Sequence, residues 1–202
     1  VLTESQLQAL EKAKTAREAQ GEIELRHPGY LCAQDTYYVG HIKGIGKIYQ
    51  QTFIDTYSRL ALAKVYTEKN SLVAAEMLND KVILFFDNEQ VVLLRILTDR
   101  GSEYNGHKER HVYDLYLNLE DIEHKKTKAY SPQTNGICER FHKKTMKTEC
   151  YEIMFRRKIY TEQTEIQQDI ELWLEFFNRE RAHSGKCCYG KLLWQTWLKK
   201  SS

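Results

Sequence analysis

The chain of 202 residues has little of what marks the special protein classes. Two prolines and ten glycines exclude collagen-like and proline-rich disordered chains. No apolar run approaches the roughly 18 residues of a membrane-spanning helix. The N-terminus, VLTESQLQALEKAK, lacks the basic-then-apolar order of a secretory signal. No membrane association and a cytoplasmic location are therefore the expectations. The five cysteines, Cys32, Cys138, Cys150, Cys187 and Cys188, are odd in number and scattered, with no CxxC. They fit neither a disulfide framework nor a zinc site and read as free, packing thiols. Neither GxGxxG nor GxxxxGK[ST] occurs, and Gly44-Ile45-Gly46 lacks the helix that a dinucleotide loop requires. An excess of one charge is also missing: 30 basic against 28 acidic residues leave +2. The sum does not argue for a polyanionic partner; the distribution does, because Arg140 to Tyr160 holds seven Lys/Arg and two Glu.

What is present is material for one domain with a full core, since 42% of residues are hydrophobic. Residues 1–28 read as a helical arm or linker closed by His27-Pro28-Gly29, and 29–202 as the folded core. Three strand patterns follow, LCAQDTYYVGHI (31–42), IYQQTFIDTY (48–57) and LALAKVYT (60–67), with links short enough for an antiparallel meander. Leu72, Ala75, Met77, Leu78, Val82 and Phe85 recur at helical spacing behind an N-cap at Ser71. VVLLRILTD (91–99) reads as a central parallel strand covered on both faces. A helix over 109–119, a short strand at 121–124, a polar loop over 125–136, and helices over 136–150 and 162–182 complete the pattern. The order β-β-β-α-β-α-β-α-α predicts an α/β fold: a mixed five-stranded sheet with helices on both faces.

Three carboxylates fall where such a sheet can gather them. Asp35 lies inside the first strand, an expensive place for a charge unless it is paired or binds metal. Asp99 ends the apolar fourth strand, where α/β sheets form sites. Glu139 sits in the first turns of the 136–150 helix. Grouped carboxylates repel one another, and a divalent cation removes that penalty. Hard oxygen donors select Mg²⁺ or Mn²⁺ over zinc. On spacing alone, Asp99 can equally cap the turn at Arg100-Gly101, and Glu139 can answer the helix dipole.

LTDRGSEYNG (97–106) followed by YSPQTNGICERFHKKTMKTE (130–149) closely resembles the DDE transposase and retroviral-type integrase core, most of all that of bacterial insertion-sequence transposases. FIDTYSRLALAKVY (53–66) resembles the second and third strands of that family, and FNRERAHSGK (177–186) its closing motif. The likeness spans roughly residues 30–200. It implies a ribonuclease H-like fold and a catalytic, metal-binding set of Asp35, Asp99 and Glu139. Between Asp99 and Glu139 lie 39 residues, somewhat more than in retroviral cores. Asp55 is the competitor for the first position, although its strand-end turn fits a structural role better.

The same resemblance implies phosphodiester hydrolysis at element ends and strand transfer into target DNA, with two Mg²⁺ or Mn²⁺ ions when DNA is bound. Its partners would be double-stranded DNA and further copies of the chain, at a bacterial chromosome. End recognition would come from an N-terminal helix-turn-helix region that residues 1–20 are too short to supply. A nuclease that only cleaves, or an inactive DNA-binding scaffold, are the alternatives. Lys191-Leu192-Leu193 departs from the usual Thr-Pro pair. Gln133, Asn135, His142, Lys143 and Lys147 are the expected DNA contacts, His142 and Lys143 because three and four residues beyond Glu139 share its helical face. Asn178, Arg179, Arg181 and His183 read as braces for the last helix. His107 and His111 read as a surface pair, and His124 as core or as support behind the site.

Overall fold

The computed structural model describes residues 3–6, 8, 11–12, 25–106, 111–127, 136–184 and 187–199. Of the expected N-terminal arm, positions 4–6, 8, 11 and 12 are helical, 3 and 25–28 are not, and the others lie outside the described residues. Three antiparallel strands come first: β1 (Cys32–Ile42), β2 (Gly46–Asp55) and β3 (Ala61–Tyr66). The first helix, α1, begins as Ser71–Met77, widens into π winding over Leu78–Ile83 and closes as Leu84–Asn88. Its N-cap is Asn70, one residue before the expected Ser71: the Val73 N–H donates to Asn70 Oδ1 at 2.9 Å. Then come β4 (Arg95–Thr98), α2 (Val112–Leu119) and β5 (Glu123–Lys126). The next helix, α3, runs through Gly136–Arg140, a π-wound Phe141–Tyr151, and Glu152–Arg157. Last come α4 (Gln163–Arg179) and the short α5 (Leu193–Trp197).

The five strands form one sheet in the order β3-β2-β1-β4-β5. The meander pairs antiparallel, and both crossovers pair parallel, as the element order predicts. The fourth strand is shorter than its apolar run: Val91–Leu94 lead into it without joining the ladder. The fifth sits two residues later than expected, so Lys125 and Lys126 belong to the sheet rather than to the polar loop.

Strand alternation splits the core in two. Cys32, Phe53 and Ile96 pack with α1 and α2, around Met77, Leu78, Tyr113 and Trp197. Ala33, Ile54, Ala61, Ala63 and Val65 pack with α3 and α4, around Phe141, Met146, Ile166 and Ile170. The tail returns as well: Trp197 is fully buried, with its ring 5.1 and 5.2 Å from those of Phe85 and Phe86.

The outer edge of β3 is covered by side-chain amides of α4. Val65 N–H donates to Gln167 Oε1 at 2.8 Å, and Gln163 Nε2 donates to Val65 O at 2.5 Å. Ala61 N–H donates to Asn178 Oδ1 at 3.0 Å, and Asn178 Nδ2 returns a bond to Ala61 O at 2.8 Å. An otherwise open strand edge is thus satisfied within the chain.

Candidate active site

Asp35 points to the α3–α4 side of the sheet, as the alternation with Gln34 and Thr36 requires. The side chains of Gln34 and Thr36 point to the other side, where they join Gln51, Tyr104 and Tyr113 in a buried network. Tyr113 Oη donates to Gln34 Oε1 at 2.8 Å, Tyr104 Oη donates to Gln51 Oε1 at 2.9 Å, and Gln51 Nε2 donates to Thr36 Oγ1 at 3.0 Å. Polar side chains at strand-interior positions are tolerable when satisfied in this way. The network fixes the strand segment that carries Asp35. The Asp35 carboxylate accepts the Thr36 N–H at 2.8 Å and keeps 8% exposure.

The parallel register of β1 and β4 pairs Cys32 with Ile96 and Ala33 with Leu97. Asp35 lies two residues beyond the last position of β1 that pairs with β4, and Asp99 directly follows the end of β4. Asp99 Oδ1 accepts the Gly101 N–H at 2.8 Å, which folds the loop back on the strand end. A Cβ on residue 101 would lie 2.6 Å from Glu103 Oε2 and 3.0 Å from Asp99 Oδ1, so a larger residue would displace these side chains. Glu103 is itself buried, with its Oε1 3.1 Å from Lys69 Nζ.

Glu139 comes from the first turns of α3. It is half-exposed, and its Oε2 lies 3.3 Å from Lys143 Nζ. The neighbouring Cys138 thiol is fully buried. Burial pushes its ionisation well up; Asp35 and Asp99 push the same way, Arg59 opposes, and Glu139 adds to the rise. All three acids thus add to the rise at this one sulfur. They are not drawn into a ligand cage: among the described residues, no trio of His, Cys, Asp or Glu stands close enough to hold an ion. As a donor set, one carboxylate on β1, one just past the end of β4 and a third on α3 suit a hard divalent cation.

Of the expected DNA contacts, Lys143 and Lys147 are exposed and share the stripe of Glu139, four residues apart. His142 is a correction: it is 3% exposed and faces the sheet. Cys138, His142, Met146 and Cys150 form the buried stripe of α3, recurring every fourth residue. The wide π winding brings i and i+4 into line and turns i+3 away from them. His142 Nε2 lies 2.8 Å from Thr52 Oγ1, its ring stacks on Tyr37, and its Nδ1 is 3.7 Å from Asp35 Oδ2. Burial first, then Lys143, hold its pKa down at about 3, so it stands behind Asp35 as a neutral imidazole. Gln133 and Asn135 lie outside the described residues.

Asp55 takes the structural part. Its carboxylate accepts from Gly29 N–H at 3.0 Å, Ser58 N–H at 2.7 Å and Ser58 Oγ at 2.6 Å. It ties the chain start of the core to the β2–β3 turn, where Arg59 adopts φ 67°. His111 is a second correction: its side chain is only 9% exposed, whereas His107 lies outside the described residues.

The integrase core domain family matches residues 120–186, a stretch that includes Glu139 and the closing motif. A putative integrase, ORF3 of Spiroplasma virus SpV1-C74, is 29% identical over 181 residues, which cover 85% of this chain and 49% of that protein. The chain therefore spans about half the length of the curated relative it matches. Among solved structures, a chain of the simian T-cell lymphotropic virus intasome in complex with PP2A regulatory subunit B56 gamma superposes with a TM-score of 0.66 at 18% identity, covering 86% of this chain and 57% of that one. The HTLV-2 integrase catalytic core in complex with magnesium gives 0.63 at 15% identity, covering 86% of this chain and 99% of that one. The fold is thus the ribonuclease H-like fold of integrase catalytic cores, as the sequence motifs imply. No helix among the described residues is long and apolar enough to cross a membrane.

Proposed function

We propose that this chain, an integrase-type core by sequence and by fold, is the catalytic part of a DNA transposase or integrase that cleaves a phosphodiester at an element end and joins the freed 3′-hydroxyl to target DNA. The observation that supports this reading is the parallel pairing of β1, which carries Asp35, with β4, which ends directly before Asp99. Asp35, Asp99 and Glu139 would hold Mg²⁺ or Mn²⁺. Bound there, divalent ions would supply activation of a water or 3′-hydroxyl and stabilisation of the leaving oxygen.

The other residues bind and orient. His142, neutral, backs Asp35 and keeps its side chain toward the helix. Lys143 balances Glu139 in the free protein and is free to exchange that carboxylate for a DNA phosphate when substrate arrives. Lys147 extends the same basic stripe along the duplex, and Gln133 and Asn135 would add further contacts. Phosphate contacts of this kind set the register of DNA without reading its sequence. Two element ends must be joined together, so the working form is an assembly of at least two copies.

The test is a strand-transfer assay with pre-cut, end-labelled duplexes and Mn²⁺. Joined products that disappear with EDTA and with Asp35→Asn support the reading. Cleavage without joining makes the chain a nuclease, and binding with neither makes it a scaffold.

A further inference from the structure

We propose that Asp114, on α2, is a positioning residue that holds the loop carrying Asp99 through three separate side chains. The inference rests on the reading of Asp99 as part of the site. Asp114 is buried at 7% exposure. Its Oδ1 lies 2.5 Å from His124 Nδ1, and its Oδ2 lies 3.7 Å from His111 Nδ1 and 3.6 Å from Lys126 Nζ. Each of these partners reaches onward to the same segment. His124 Nε2 lies 2.8 Å from Thr98 Oγ1, which in turn donates to the Asp99 carbonyl oxygen at 3.0 Å. His111 Nε2 lies 3.2 Å from the Ser102 carbonyl oxygen. Lys126 Nζ donates to Asn105 Oδ1 at 3.1 Å.

One carboxylate therefore governs three grips on residues 98–105, spaced before, within and after the turn that presents Asp99. A buried carboxylate with an oxygen outside hydrogen-bonding range is costly, and Asp114 Oδ2 is such an atom. A purely structural role would be met as well by an apolar residue at this position of α2. The cost is matched by what the group does for the loop: the two rings and the ammonium that reach residues 98–105 all stand within 3.7 Å of it. A ligating carboxylate is only as well placed as the groups behind it, and loss of such support commonly lowers activity about 10–100-fold.

The experiment compares the full chain with Asp114→Asn, by amide hydrogen exchange without metal and by strand transfer with Mn²⁺. We expect the Gly101 and Tyr104 amides, which close the loop onto Asp99 Oδ1 and Gly101 O, to exchange at least about tenfold faster. The amides of Ala33 and Phe53 stay as slow as in the parent. kcat for joining falls about 10–100-fold, while KM for DNA stays within about twofold. Equal protection of the loop in both proteins overturns the proposal, as does faster exchange spread evenly over the sheet. If Asp114→Asn does not fold, Thr98→Val and Thr98→Ser decide the matter. The proposal requires the hydroxyl-bearing variant to keep slow Gly101 exchange and the valine variant to lose it; equal behaviour refutes it. If the parent chain joins no DNA with Mn²⁺, the transferase reading fails, while the exchange measurements still decide the role of Asp114.

Discussion

Asn178 clasps the peptide of Ala61 from both sides, accepting its N–H and donating to its carbonyl, across 117 positions of sequence. The side-chain amide stands in for a missing sixth strand. Both bonds are buried, so Asn178→Leu leaves a donor and an acceptor of β3 unmet. A loss of about 2–4 kcal/mol is expected, since each stranded buried group costs on the order of 1–3 kcal/mol. Urea unfolding of the metal-free protein measures it, and a loss below about 0.5 kcal/mol would contradict the clasp.

The two aspartates that compete for the first site position separate by phenotype. Asp35→Asn should keep the fold, because the carboxylate accepts one local N–H and retains some exposure. Strand joining should drop at least roughly 100-fold, the consequence of losing a ligand worth several kcal/mol. Asp55→Asn should fail earlier, in stability, since an amide cannot accept the Gly29 and Ser58 donors on both its atoms. Thermal melting and joining assays on the two variants side by side give the answer. A stable but inactive Asp55→Asn with an active Asp35→Asn would exchange their roles.

His142 gives a pH dependence whose sign follows from its burial. Unfolded, a histidine takes up a proton near 6.5; folded, this one stays neutral until about 3. Below 6.5 the unfolded state binds more protons, so stability falls as the pH falls, by up to about 1.4 kcal/mol per pH unit. His142→Gln cannot titrate. In EDTA, the stability advantage of the parent over this variant should shrink between pH 6.5 and 4. A constant gap across that range would mean that the imidazole is already charged in the fold.

Trp197 fills the α1 side of the core against Phe85 and Phe86. Trp197→Ala should cost about 3–5 kcal/mol, the range for emptying a large buried aromatic. Denaturant midpoints report it directly. A variant as stable as the parent would mean that the tail is dispensable for the core.

Much of the fold was legible because its signals are local. The meander followed from three β-rich runs with short links, and the crossovers from the switch to helical spacing after Ser71. The crossover rule restricts the strand order enough to make β1 and β4 candidate neighbours, and they pair. His142 is buried rather than DNA-facing because standard helical spacing does not hold in α3, and nothing local signals its wider winding. His111 and Asp114 are hidden in the sequence for a different reason. Each contacts residues far away in the chain, and polar character in a helix reads as solvent-facing until tertiary packing covers it. The glutamines of β1 and β2 offered a usable hint, being polar at positions where strand alternation demands apolar groups.

The covering of β3 by α4 also bears on how the chain is made. Ala61 to Tyr66 leave the ribosome about 100 residues ahead of the first glutamine that caps them. At roughly 5–20 residues per second, that edge stays bare for about 5–20 s. During this interval it can add a strand from a neighbouring nascent chain. Slow elongation should therefore raise the aggregated fraction, and fragments ending before Gln163 should be recovered mainly as insoluble material.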